Sequence, residues 1–136
     1  MKSLSVSAEI WAKTVGMNAF LWGIGGMLTG DLFHAFGSIL FLLGGFILTL
    51  PLLMVIVPLV NVSAWIPYGV PAKMAWLTFY LIILIILFFM VFSKIESDTF
   101  YKSHSWASQL MGTSIGGLFV AVLSSRRSLS KLYTAK

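Results

Sequence analysis

Met74–Phe92 reads MAWLTFYLIILIILFFMVF. The run holds no charge, no glycine and no proline. As a helix rising about 1.5 Å per residue it reaches about 28 Å, close to one bilayer hydrocarbon core. Lys73 and Lys94 bracket it and Trp76 lies just inside one end, as in a span held between two headgroup layers. An integral membrane protein is the reading from which the rest follows.

Composition agrees. Hydrophobic residues make up 59% of the 136 and charged residues 10%, whereas a soluble domain carries roughly 25% charged residues. Most of the surface must therefore face lipid or protein. Four spans and their loops nearly exhaust such a chain, which leaves one membrane domain over 1–136 and little room for an aqueous active site. The absence of cysteine excludes disulfides, thiolate-held metals and thiol catalysis. The net charge of +5 sits mainly toward the two ends, without stacking aromatics between the cations. That pattern suits anionic lipid and topology, and no nucleic acid is expected as a partner.

The expected fold is all-α with four transmembrane helices, over about 14–30, 32–58, 74–93 and 105–125, followed by a basic tail over 126–136. The polar start, MKSLSVSAEIWAK, offers Glu9 and Lys13 as a helical i,i+4 pair. A cleaved signal peptide with Thr14–Leu28 as its apolar region fits poorly, because Glu9 occupies its basic region and Leu28-Thr29-Gly30 is not a small-residue cleavage site. Gly30-Asp31 marks a tight hairpin between the first two helices: glycine ends one and the Asp31 carboxylate caps the next. The second span bends or ends at Pro51. Between it and the third lies an interfacial loop with Trp65, Tyr68, Pro67 and Pro71. The alternative has three spans plus an interfacial or re-entrant N-terminal helix.

Small residues are ordered in the first helix. Ser5, Ala8, Ala12, Gly16, Ala19, Gly23, Gly26 and Gly30 fall three or four residues apart, a seam with a period close to 3.5. Ser108, Gly112 and Gly116 form a second small face at four-residue spacing. Such faces let helix backbones approach closely where lipid removes the hydrophobic drive between helices. In the tail, Leu129, Leu132 and Tyr133 share one side of a short helix, with Arg126, Arg127 and Lys131 placed to meet lipid headgroups.

Seven of the nine lysines and arginines (Lys2, Lys13, Lys73, Arg126, Arg127, Lys131, Lys136) fall on one side of a four-span chain, against Lys94 and Lys102. The positive-inside rule then places both termini in the cytoplasm, in a bacterial inner membrane.

Chemistry-bearing residues are few. Asp31, His34, Glu96, Asp98 and His104 share the opposite side and are the candidate metal ligands, by their imidazole and carboxylate chemistry. No HExxH, GxSxG or phosphate-binding glycine loop occurs. The spans hold no carboxylate or lysine for ion coupling. No enzyme activity and no cofactor are expected. The expected function is a small non-catalytic subunit docking through its small-residue faces into a larger membrane complex for secretion, respiration or transport. The alternative is a self-associating pore, a holin-like protein or a small transporter acting as a homo-oligomer. Partners are accordingly membrane lipids and other transmembrane proteins or copies of the chain.

Overall fold

A computed structural model describes residues 2–30, 32–97 and 104–134, with side chains described for 2–30, 36–40, 42–91 and 110–134. The described residues are all-helical, with no strand. Helix α1 covers Lys2–Thr29, α2 Leu32–Ala64, α3 Val70–Ser97, α4 His104–Ser124 and α5 Arg126–Thr134.

The first boundary has a local cause. Gly30 adopts φ 74°, which an L side chain resists, and its amide bonds to the Met27 carbonyl at 3.3 Å. The chain reverses there into α2. Helix α2 does not end at Pro51. It runs on to Ala64 with Pro51 and Pro58 both inside it. Each proline withdraws one amide, from the carbonyls of Ile47 and Met54, while the flanking bonds carry the helix through. The loop after Ala64 closes with bonds from Trp65 N to Val62 O and from Tyr68 N to Ile66 O, at 3.0 and 2.8 Å. Pro71 then occupies the first turn of α3, where its missing amide costs nothing.

Two helices contain segments long and apolar enough to cross a membrane, Phe36–Ala64 and Val70–Val91, each with a mean hydropathy of 2.7. In their most apolar windows only 6% and 17% of residues are buried within the chain. The core helix of a soluble protein hides such residues against its own fold. Here Leu43, Ile47, Met54, Leu87 and Met90 stand open on the surface. The apolar part of α4, Leu110–Ser124, is shorter.

Helix α1 is the centre of the bundle. Its most extensive contacts are with α2 on one side and α4 on the other, while α2 and α3 touch much less. Against α2, the Trp11 ring meets Phe46 edge to face at 5.0 Å and its Nε1 donates to Thr49 Oγ1 at 3.0 Å. The tightest crossing is with α4 at Gly117. A Cβ on Gly117 would lie 3.0 Å from the Thr14 carbonyl oxygen and 3.1 Å from the Asn18 amide nitrogen. Only hydrogen in place of a side chain permits that approach.

Burial is uneven along the bundle. The main cluster gathers the N-terminal part of α1 (Val6, Ile10), the C-terminal part of α2 (Val60, Ala64), the start of α3 (Met74, Leu77), the end of α4 (Ala121, Val122) and α5. This end carries Lys2, Lys13, Lys73, Arg126, Arg127 and Lys131. Helix α5 closes it. Leu129, Leu132 and Tyr133 share one side of it, as the spacing predicts, and that side is buried against the chain's own core. Its basic side, with Arg126, Arg127 and Lys131, remains exposed.

Candidate functional site

Three places in the bundle stand out, two concavities and one polar network. The first is a partly open cleft of about 460 Å³ between α1, α2, α3 and α4, walled chiefly by apolar side chains. Its polar residues are nearly all committed. Thr14 and Thr49 donate to the carbonyls of Ile10 and Gly45 one turn back, and Asn18 Nδ2 donates to Ser114 Oγ at 2.7 Å. Asn18 Oδ1 is buried and has no partner among the described residues. The Asn18–Ser114 bond ties α1 to α4 close to the Gly117 crossing.

The second is the polar lock at the basic end. Lys13 Nζ donates to Glu9 Oε1 and to Ser125 Oγ, and Ser125 Oγ donates to Glu9 at 3.1 Å, which joins α1 to the turn before α5. Ser63 and the Tyr133 hydroxyl, both buried, share a bond of 2.7 Å that fastens α5 to α2. Lys73 reaches the Ala64 carbonyl at 2.8 Å, and its ammonium lies 5.7 Å from the Tyr133 ring centre. The Lys13 hydrogen bond, helped by Ser128 and Ser125, holds the Glu9 carboxyl below the usual carboxylate range against the opposing effect of burial. Burial pushes the Tyr133 phenol above its usual range, against the Ser63 bond.

Both shifts make the lock pH-dependent. A lowered carboxyl pKa stabilises fully above the ordinary carboxylate range and loses that contribution as pH falls through the lowered value. A raised phenol pKa stabilises fully below about 10 and loses its contribution as pH climbs through the raised value. The thermal midpoint in detergent should therefore fall below about pH 4 and above about pH 10. Glu9→Gln should flatten the acid limb and Tyr133→Phe the alkaline limb. Unchanged limbs in both variants would show that other groups govern them.

The third is a groove of about 650 Å³ along α3, walled on its far side by α4 and closed at one end by Arg126 and Ser130 of α5.

The helix-packing residues divide by what they meet. Ala19, Gly23 and Gly26 are buried within the bundle, and a Cβ on Gly23 would come 3.0 Å from Ser38 Oγ of α2. Ala12 is half-buried, and Gly30 makes the hairpin turn. A Cβ on Gly116 would meet Leu21 Cδ1 at 3.6 Å, whereas at Gly16, Gly25 or Gly112 it would meet nothing within 4 Å among the described residues. Ser108 lies outside the residues whose side chains are described. So do the five metal candidates: Asp31 and Asp98 fall outside the described residues, and the side chains of His34, Glu96 and His104 do as well. Among the described residues no group of three His, Asp or Glu gathers to hold a metal ion.

Sequence reasoning reads the glycines of Gly112–Gly117 as helix packing without singling out Gly117, and it missed the Ser63–Tyr133 bond and both concavities. Gly117 carried a signal, as one of a glycine pair in a small-residue helix. The others depend on which helices become neighbours. Comparison of the chain with protein-family models, with curated proteins and with solved structures found no match in any of the three.

Proposed function

We propose that the chain is a small, non-catalytic integral membrane subunit that docks against other transmembrane helices in a larger assembly. The observation that carries this reading is the open glycines. A helical glycine costs about 1 kcal/mol relative to alanine, and within this chain that cost is recovered only where a neighbour comes close. Gly23 and Gly117 have such neighbours; Gly25 and Gly112 are exposed and have none among the described residues. Gly112 lies one turn from Gly116, so the small face of α4 continues past the point where α1 stops filling it. A flat, side-chain-free patch on a lipid-facing helix suits the close approach of another helix.

In this proposal α1 to α4 all span a bacterial inner membrane, and the positive-inside rule puts the basic end, with both termini, in the cytoplasm. The polar locks and α5 would then sit at the inner headgroup level, as a lid on the bundle.

The test is the mass and composition of the particle purified in mild detergent. Stable co-purification with unlike membrane proteins supports the subunit reading. A homo-oligomer that conducts ions or solutes in liposomes would replace it with the pore reading. Gly112→Leu should release the partners at least tenfold more readily while the chain keeps its own thermal midpoint. Unchanged retention in both Gly112→Leu and Gly25→Leu would end the docking argument.

A further inference from the structure

We infer that the groove between α3 and α4 is a binding site for one anionic phospholipid, with its acyl chain along α3 and its phosphate at Arg126. The inference rests on the membrane placement of α3 and is independent of any docking partner. The groove is amphiphilic along its length. From Val70 to Ile82 its α3 wall runs about 18 Å at 1.5 Å per residue, and one leaflet of the hydrocarbon core is about 15 Å deep. Met74, Phe79 and Ile82 on α3, with Phe119 and Val122 on α4, make that length apolar. Its volume of about 650 Å³ lies within the range of built ligand sites, roughly 300–1,000 Å³.

The polar end has the complementary charge. Arg126 and Ser130 line it from α5, four residues apart and so on one side of that helix. Arg126 is exposed and makes no hydrogen bond or ion pair with any described residue. The carboxylate beside the start of α5, Glu9 at Ser125, is already paired with Lys13. Arg126 and Arg127 begin α5, whose first turn contains no acidic residue. The start of a helix carries the positive end of its dipole, where cations are disfavoured and an anion is favoured. The planar guanidinium fits a phosphate in two-pronged fashion, and the Ser130 hydroxyl can donate beside it.

The depth agrees. Lys73, whose ammonium lies 5.7 Å from the Tyr133 ring of α5, stands at the start of α3 with the exposed Trp76 just inside it, the cation and aromatic pairing of a headgroup boundary. Arg126 thus stands where a phosphate lies, and the apolar walls lead from it toward the membrane centre. Arg127 and Lys131 do not line the groove; they enrich the local concentration of anionic lipid without seating it.

The experiment is native mass spectrometry of the full chain from micelles doped with equal amounts of phosphatidylglycerol and phosphatidylcholine, and separately with inorganic phosphate. One phosphatidylglycerol should stay bound, at least tenfold preferred over phosphatidylcholine, and inorganic phosphate should not displace it. Arg126→Gln should erase the preference, while Arg127→Gln keeps most of it. Ala75→Phe, which puts bulk into the groove and leaves every charge in place, should abolish retention of either lipid. Equal retention by the wild-type chain and Ala75→Phe would reduce the effect to surface charge and overturn the site. Undiminished preference in Arg126→Gln, or displacement by phosphate alone, would overturn it equally.

Discussion

Gly117→Leu should destabilise the bundle by at least about 3 kcal/mol, the upper end of what overpacking costs in a rigid interior. The atoms a side chain would strike, the Thr14 carbonyl oxygen and the Asn18 amide nitrogen, are backbone, so no rotamer change relieves the clash. Relief requires α4 to move away from α1, which also stretches the Asn18–Ser114 bond of 2.7 Å. Thermal or denaturant unfolding in detergent, followed by circular dichroism, measures the loss. Gly112→Leu on the same helix is the control, because a Cβ there meets nothing within 4 Å and stability should be unchanged. Equal effects of the two substitutions would mean that α1 and α4 do not cross at Gly117.

Leu129→Ala should cost about 2–5 kcal/mol, the usual range for a fully buried leucine. Leu129 is 0% exposed, and its companions in the core come from α1, α2, α3 and α4, so the side chain holds α5 against the whole bundle. A tail helix lying in lipid headgroups would behave differently. Truncating its leucine would loosen the tail from the membrane and leave the thermal midpoint of the bundle where it was. Lys131→Ala, on the exposed side, should be nearly neutral for stability. If Leu129→Ala is equally neutral, α5 is not docked.

The comparison of leucine and lysine on one short helix shows what a sequence can convey. Periodicity placed Leu129, Leu132 and Tyr133 on one side of α5, and that placement is local geometry. What covers that side is a long-range fact, because lipid and a protein core both accept leucine. The hairpin at Gly30 was legible, since a positive φ demands glycine at that point. The course of α2 through Pro51 was not. Proline removes one bond, but whether the helix survives depends on the packing of α1 alongside it. The small seam of α1 identified a helix with close neighbours, yet not which of its glycines face α2, which face α4 and which face neither. Gly116 and Gly117 are adjacent in sequence and differ by a turn of about 100° around the axis. That angle decides which of them touches backbone, and only the assembled bundle fixes it. The phosphate-facing role of Arg126 was hidden for a similar reason. Three basic tail residues look alike until α3 and α4 form a groove beside one of them.

The central position of α1 has a consequence for biogenesis. This helix leaves the ribosome well before its second large partner, α4, with cross-links such as Asn18 to Ser114 and Lys13 to Ser125 spanning 96 and 112 residues of chain. At a synthesis rate of about 5–20 residues per second, the α4-facing side of α1 waits roughly 5–20 s for its match. During that interval Asn18 and the Glu9–Lys13 pair have only α2 and α3 for company. The bundle is half-finished for that time, so slowing translation between α3 and α4 should expose the chain to quality-control proteases.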